Sequence, residues 1–393
     1  MRHIQCVRHE RYAWAGCAVV ALGLTLVSDL EPHRVWGVVA GAGYAVAAVL
    51  ACGARSRPAS RAVAVVGAVV VGAVVVPLVS LATAGLGQLE VTVVERSGQS
   101  LLTNGSPYVA DPAVVADFNP YLPGMALFGV LPGDVRWWLG GAFVAALAAA
   151  GLYRARLLAC PLVALPLAVS GVDLPVVGLM CLGVVLAGQG RPGRAGLVLG
   201  AAAALKWTAW PALPVALALI AVRRGGRPAL WYAAVALSTA TAAVLPFALA
   251  GSSAFYRSVI AFPLGLTDTA SPAASPLPGH LLATYVPGGR VIAPALLAVS
   301  ALLIAVSLVV RPPTTARAAA ARLALGLGLA MTLMPATRFG YLVYPLVLGA
   351  VAYRMPQRGD TTVTPIAPVT PIAPTTSIAP VNPVVPSRKK ALI

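Results

Sequence analysis

The chain has 393 residues, of which 59% are hydrophobic and only 10% are charged. Soluble proteins contain about 45–50% apolar and about 25% charged residues, so the composition excludes the two or three soluble domains that this length could otherwise hold. Apolar runs of about 18 residues or more recur along the sequence, and each can cross the roughly 30 Å hydrocarbon core of a membrane as a helix. They predict an all-α polytopic membrane protein.

The formal net charge of +17 is distributed in a way that argues against a nucleic-acid partner. Arginines stand in short clusters between the apolar runs, such as Arg55, Arg57 and Arg61, or Arg191 and Arg194. Clusters of this kind mark the cytoplasmic ends of membrane helices. With every cluster cytoplasmic, both termini are predicted to be cytoplasmic, and most acidic residues fall on the opposite side.

This topology predicts a bundle of about twelve transmembrane helices. They are expected at about 12–28, 36–53, 62–85, 136–153, 157–170, 174–189, 195–209, 210–222, 228–250, 291–310, 318–334 and 340–354. The stretches 157–189 and 195–222 are each long for one span and short for two, so a total of ten stays open.

Two long extracytoplasmic loops are predicted, at 86–135 and 251–290, and loops of this length in a compact protein are usually functional. In the first loop, apolar residues at helical spacing from Val91 to Leu102 predict a short amphipathic helix along the membrane surface that ends near Asn104 and Gly105. Residues 1–358 are predicted to form one membrane domain. Residues 359–393 contain the near-repeats TPIAPV, TPIAPT and TSIAPV, which predict a disordered, Pro-rich cytoplasmic tail.

Glu90 is the first candidate for chemistry, because it stands where the third predicted span meets the outer aqueous face. Partial burial at that position would suit a general base, whereas the alternative is a solvated carboxylate that marks the end of a helix. Glu95 is the rival carboxylate. Five residues at about 100° each give about 500°, which places Glu95 roughly 140° around a helix from Glu90. The two carboxylates are therefore not expected to form the paired acid and base of a glycosidase.

Lys206 is the only lysine before Lys389, and it lies within the apolar stretch AAAALKWTAWPALP. An ammonium inside a membrane helix costs roughly 2.5–3.5 kcal/mol, so such residues tend either to be functional or to snorkel to the interface. The functional alternative is a cation for a phosphate at the lipid boundary. Arg338, in MPATRFGYLVYP, is predicted just outside the penultimate span, where it either binds an anionic ligand or forms a structural ion pair.

The remaining candidates are weaker. Tyr121 is either a residue of the interfacial aromatic belt or a platform for a sugar, and Asn119 precedes it in the same loop. His280 is a lone loop histidine, for which a structural role is the simpler interpretation. No metal-ligand spacing and no nucleotide-binding motif occurs in the sequence, so neither a metal nor another cofactor is predicted.

Taken in order, three blocks of the sequence resemble glycosyltransferase family 87, whose members are integral membrane enzymes of the GT-C type. The blocks are Glu90, Val93, Gly98, Leu101, Leu102, Gly105, Pro107 and Tyr108 with Asn119, Pro120, Tyr121, Leu122 and Pro123; Leu205, Lys206, Trp210 and Pro211; and Pro335, Arg338, Phe339, Tyr344 and Pro345. Two positions depart from the family pattern, because the family acid is usually Asp where this chain has Glu90, and an aromatic residue usually stands at Val94.

The resemblance implies a GT-C-like mannosyltransferase of actinobacterial type in the plasma membrane. Such an enzyme transfers a sugar, typically mannose, from a polyprenyl-phosphate donor to a lipid-linked or cell-envelope glycan acceptor, with inversion and without an obligatory metal. Glu90 would be the general base, Lys206 and Arg338 would bind the donor phosphate, and Glu95, Asn119, Tyr121 and His280 would be acceptor or loop candidates. The alternatives are a transporter or flippase for a lipid-linked or small solute, and a noncatalytic scaffold that acts through the Pro-rich tail.

Overall fold

A computed structural model of the protein describes residues 2–52, 58–269 and 272–355, and the tail predicted at 359–393 lies outside them. The described residues form α-helices and their connections, and the only β-type pairing among them is one isolated parallel bridge between Ala274 and Thr337. The predicted all-α class is therefore confirmed.

The helices are named in chain order. They are α1 (Arg2–Val27), α2 (Glu31–Ala51), α3 (Pro58–Val70), α4 (Val76–Thr83), α5 (Leu89–Asn104), α6 (Ala126–Gly129), α7 (Val135–Ala149), α8 (Ala155–Leu158), α9 (Pro161–Val169), α10 (Leu174–Gly188), α11 (Pro192–Leu205), α12 (Ala212–Arg224), α13 (Gly226–Ala250), α14 (Ser252–Phe255), α15 (Pro278–Tyr285), α16 (Gly289–Val310), α17 (Ala316–Leu333) and α18 (Val343–Arg354). A π-helical turn at Val71–Val75 joins α3 to α4.

Six helical segments in the described part of the chain are long and apolar enough to cross a membrane. They are His9–Val27, Glu31–Ala51, Ala59–Thr83, Gly226–Ala250, Gly289–Val310 and Ala316–Leu333. Helical structure also lies at each of the other predicted spans, although several of those helices are shorter. The chain is thus a polytopic membrane protein. The second long loop, predicted at 251–290, is itself partly helical, since it contains α14, a π-helical turn at Tyr256–Ala261 and α15.

The short helix predicted in the first long loop is α5. It ends at Asn104 because Gly105 adopts a left-handed conformation with φ of 68°, and the Gly105 amide bonds to the carbonyl of Leu101. Its buried face includes Gly98, where a Cβ atom would overlap the carbonyl group of Gly129. The glycines therefore let α5 lie in direct backbone contact with α6.

The helices at the centre of the bundle are short. Helix α10 has 15 residues, α11 has 14 and α12 has 13, so at 1.5 Å per residue each spans only about 20–22 Å, less than the roughly 30 Å of a hydrocarbon core. Helix α10 is surrounded by α7, α11, α12, α17 and α18. At the end of the bundle where α10 begins and α11 ends, the connections are consequently recessed, and Asp173 and Lys206 on them are each only 9% exposed.

Candidate active site

Several connections between helices meet at one end of the bundle. The amide of Gln88, just before α5, bonds to the carbonyl of Val169 at the end of α9 over 2.9 Å. The amide of Leu122 bonds to the carbonyl of Leu205 at the end of α11 over 3.1 Å. These backbone bonds bring the first long loop against the segments that begin α10 and end α11.

A buried ion pair joins those two segments. The ammonium of Lys206 lies 2.5 Å from Oδ1 of Asp173, and each residue is only 9% exposed. The hydroxyl of Tyr344 donates to the same carboxylate oxygen over 2.7 Å, and the Thr208 hydroxyl donates to that of Tyr344, also over 2.7 Å. We call Asp173, Lys206, Thr208 and Tyr344 the buried cluster. Its charges are compensated inside the bundle, as burial requires.

Two tyrosine rings enclose the ammonium of Lys206. Its Nζ lies 4.7 Å from the ring centroid of Tyr341 and 5.4 Å from that of Tyr121, which are cation–π distances. Lys206 therefore does not snorkel. The Tyr121 ring packs against a charged side chain inside the protein, which neither of the two sequence interpretations of this residue described.

Asp173 was missed by the sequence analysis, which treated the acidic residue at that position as a marker of topology. A signal was present. Helices α10 and α11 form an antiparallel hairpin around Gly190, with Asp173 placed 17 residues before that glycine and Lys206 placed 16 residues after it. Nearly equal distances from a tight turn bring two residues to about the same level, so the pairing follows from the lengths of the two short helices.

Glu90 and Arg338 form a second ion pair. The Glu90 side chain is 13% exposed and that of Arg338 is 30% exposed, so this pair is less buried than Asp173 and Lys206. Arg338 begins the 3-10 turn Phe339–Leu342, and the amide of Tyr341 bonds to the Arg338 carbonyl over 3.1 Å. One helical turn thus connects the Glu90–Arg338 pair to the ring that contacts Lys206.

The second long loop holds the segment that carries Arg338. The Thr337 amide bonds to the Ala273 carbonyl over 3.0 Å, and the Ser275 amide bonds to the Thr337 carbonyl over 2.9 Å. Nδ1 of His280 lies 2.9 Å from the carbonyl oxygen of Pro335, to which a protonated Nδ1 donates. In this structure His280 therefore fixes the loop, and its Nδ1 is occupied by a backbone contact.

Asn119 is also engaged in fixing a loop. It is 2% exposed, and its amide nitrogen donates to the Ser97 hydroxyl over 2.9 Å and to the Pro107 carbonyl over 3.2 Å. Its side-chain oxygen accepts from the amide of Tyr121 over 3.1 Å. Asn119 thereby sets the backbone from which the Tyr121 ring reaches Lys206.

Glu95 lies elsewhere on α5, where its Oε1 accepts from the amide of Val135 over 3.3 Å. It contributes to the start of α7 and is not paired with Glu90, in line with the angle between the two residues on a helix. Among the described residues, no three His, Cys, Asp or Glu side chains come close enough together to hold a metal ion.

The buried Arg136 connects two backbone segments next to the site. It is 1% exposed, and it bonds to Asp134 over 2.6 Å and to the carbonyls of Leu86 and Ala168 over 2.8 Å each. Burial by itself would raise the pKa of Asp134, but the hydrogen bonds and the charge of Arg136 outweigh it and hold that pKa below its ordinary value. Arg136 thus fixes the approach to α5 against the end of α9.

The fold and these clusters define a class: a polytopic membrane protein with a recessed polar site between short apolar helices. The model of glycosyltransferase family 87 matches residues 152–335. This match supports membership of the family and, with it, a glycosyltransferase activity, as the resemblance of the sequence blocks predicted. The matched region contains Asp173 and Lys206, ends three residues before Arg338 and does not include Glu90. No curated protein and no solved structure matches the chain.

Proposed function

We propose that the chain transfers a sugar, with mannose as the first one to test, from a polyprenyl-phosphate donor to a lipid-linked or cell-envelope glycan acceptor. Glu90 acts as the general base, and Arg338 and Lys206 bind the donor phosphate. The observation that supports this proposal is the Glu90–Arg338 pair, in which a carboxylate and a guanidinium lie next to each other at the edge of the recessed site, and guanidinium is a group well suited to phosphate.

The reaction is a single displacement at the anomeric carbon. The Glu90 carboxylate takes the proton of an acceptor hydroxyl while that oxygen attacks the anomeric carbon. The bond from the anomeric carbon to the phosphate oxygen breaks, and its electron pair leaves with the polyprenyl phosphate, whose negative charge increases by one. Attack from the side opposite the leaving phosphate inverts the configuration, and preorganised cations near that phosphate stabilise the developing charge.

Donor binding has a consequence for Glu90. A carboxylate paired with a guanidinium is a weaker base than an unpaired one, because the positive charge favours its ionised form. A phosphate competes for the same guanidinium and binds it in a bidentate manner. When Arg338 turns to the phosphate, Glu90 loses part of that compensation and becomes the stronger base that proton abstraction needs.

Lys206 has a different position in the proposed mechanism. Its charge is already balanced by Asp173 at 2.5 Å, but an ammonium has three N–H donors, and Asp173 accepts from one of them. In the proposed mechanism, the remaining donors bind a phosphate oxygen, and the buried pair is not separated. Asp173 and the rings of Tyr121 and Tyr341 therefore position Lys206, and Arg338 is the cation that changes partners.

The proposed side of the reaction is extracytoplasmic, in a plasma membrane with both chain termini in the cytoplasm. The distribution of charge supports this orientation. Arg191 and Arg194 lie at one end of α11 and Lys206 follows the other end, about 21 Å away along the helix. If the arginine cluster is cytoplasmic, as such clusters usually are, the buried cluster lies towards the opposite face.

The proposal is tested by a transfer assay with the purified full chain in nanodiscs. Radiolabelled polyprenyl-phosphate mannose is offered with a membrane lipid extract, and labelled glycolipid is measured for the wild type, Glu90→Gln and Glu95→Gln. Because a positioned general base contributes about 10²–10⁴-fold, we expect Glu90→Gln to lose at least about a hundredfold in turnover. Glu95→Gln is the matched control on the same helix, and we expect it to retain activity within a few-fold.

Donor binding distinguishes a lost base from a lost site. Glu90→Gln leaves Arg338 without its carboxylate, so we expect the variant to bind the donor at least as tightly as the wild type, whereas Arg338→Gln binds it more weakly. If Glu90→Gln kept full activity and Glu95→Gln lost it, Glu95 would be the general base instead of Glu90. Failure of the wild type to form product with this donor, while another sugar donor is used, would reject the polyprenyl-phosphate assignment.

A further inference from the structure

A cavity of about 530 Å³ lies at the end of the α10–α11 hairpin opposite the buried cluster. It is lined by Arg191, Pro192, Gly193, Arg194 and Trp231. The first four residues form the turn into α11, and Trp231 lies in the second turn of α13. The length of α11 separates this cavity from Lys206, so it is independent of the function proposed above.

The two arginines of the cavity are exposed and uncompensated. Within the described residues, neither Arg191 nor Arg194 forms an ion pair, although six such pairs occur there. A third guanidinium is close, because the side chain of Arg224 lies over Gly190, directly before Arg191. Two guanidinium groups lining one concave surface, with a third beside it, favour an anion with several oxygen atoms.

The other wall of the cavity is suited to lipid. The indole of Trp231 is 60% exposed, and its nitrogen packs so closely against Gly193 that a Cβ atom there would come within 2.9 Å of it. Leu230 is 73% exposed beside it, and Leu197 is 56% exposed one turn beyond Arg194 on α11. Tryptophan is enriched at the boundary between headgroups and hydrocarbon, and the exposed leucines on the same two helices match acyl chains.

From this arrangement we propose that the cavity binds the headgroup of an anionic phospholipid. Arg191 and Arg194 contact the phosphate, Trp231 lies at the level of the glycerol, and an acyl chain runs along Leu197 and Leu230. Lipid is the chosen ligand over soluble phosphate because the cavity joins its arginines to exposed apolar side chains on two membrane helices. The site lies at the membrane face opposite the proposed reaction and holds the α10–α11 hairpin at that face.

Quenching of Trp231 by brominated lipids tests the site. The full chain is placed in nanodiscs that contain either brominated phosphatidylglycerol or brominated phosphatidylcholine, and the signal of Trp231 is the difference between wild type and Trp231→Phe. Each arginine near an anionic membrane surface strengthens binding about fivefold. We therefore expect two arginines to give a preference for phosphatidylglycerol of at least about tenfold. The preference should fall to nearly onefold in the double variant Arg191→Gln/Arg194→Gln.

A matched control separates the cavity from the general positive charge of this face. Arg223→Gln/Arg227→Gln removes two exposed arginines that do not line the cavity, and it should keep the preference for phosphatidylglycerol. Equal loss in both double variants would overturn the proposal, as would equal quenching of wild-type Trp231 by the two lipids. Relief of the quenching by millimolar inorganic phosphate would replace the lipid by a soluble anion and would equally refute it. The comparison of lipids on the wild type decides the question even if the double variant does not fold.

Discussion

Replacing Asp173 by Asn removes one charge from a buried ion pair whose two side chains are each only 11% exposed. Two unit charges 2.5 Å apart attract by about 7 kcal/mol at an effective dielectric constant of about 20. The amide oxygen of Asn can still accept from Lys206, and the rings of Tyr121 and Tyr341 remain in place. We therefore expect the lower part of the range for breaking a buried pair, a loss of about 3 kcal/mol in the free energy of unfolding.

A double-mutant cycle measures the coupling directly. Lys206→Met leaves the Asp173 carboxylate with the Tyr344 hydroxyl as its hydrogen-bond partner in this cluster, so it should destabilise by a similar amount. Asp173→Asn/Lys206→Met leaves no uncompensated charge, so its loss should be smaller than the sum of the two single losses by about 2 kcal/mol or more. Unfolding in mixed micelles of increasing SDS fraction, followed by tryptophan fluorescence, supplies the free energies of unfolding of the wild type and the three variants.

The matched control is Asp111→Asn. Asp111 lies 2.7 Å from Arg257, but its side chain is 92% exposed, and exposed pairs contribute little. We expect no measurable change for this variant. Additive losses for the two single variants at positions 173 and 206, or an Asp173→Asn variant as stable as Asp111→Asn, would refute the reasoning that the buried cluster is a coupled unit.

Two further predictions concern the supports of the site. Gly98→Ala should lower stability by about 1–3 kcal/mol in the same assay, because its Cβ would overlap the backbone of Gly129. Gly141→Ala is the control, since no atom lies within 4 Å of its Cβ position, and a similar loss there would contradict this explanation. The second concerns Asp134, whose lowered pKa stabilises the fold above the ordinary carboxyl value of about 4 and ceases to do so as pH falls through the lowered value. The stability advantage of wild type over Asp134→Asn should therefore shrink below about pH 4, and a constant difference would exclude this linkage.

Much of the fold could be predicted because membrane helices are specified locally. Apolar runs bounded by arginine clusters placed helices at every expected span, and Gly105 marked the end of α5 because a left-handed turn needs glycine there. The stretch 157–189 was harder to divide into membrane spans. Its two helices have 9 and 15 residues, so neither has the length that identifies a membrane span from sequence alone.

The pairings within the site could not be predicted in the same way, because they depend on which loops meet. Glu90 and Arg338 are 248 positions apart, and each was identified from its own surroundings without its partner. Lys206 was correctly singled out because burial of a charge in an apolar segment costs free energy. Its acidic partner, Asp173, was instead classed with the residues that indicate topology. Only the nearly equal lengths of α10 and α11 pointed to Asp173, and they have meaning only once the hairpin is assumed.

Both cations proposed for the donor phosphate are thus paired with carboxylates before any donor arrives. In a recessed site between apolar helices, two uncompensated cations would be costly, and the two carboxylates make the unliganded site neutral. Phosphate binding is then an exchange of partners at Arg338, which makes it less favourable than binding to an unpaired guanidinium. In return, Glu90 is a weak base while the site lacks donor and a stronger one when the phosphate is bound. Under the proposed mechanism, the same ion pair that holds the loops together therefore makes activation of the acceptor depend on the presence of the donor.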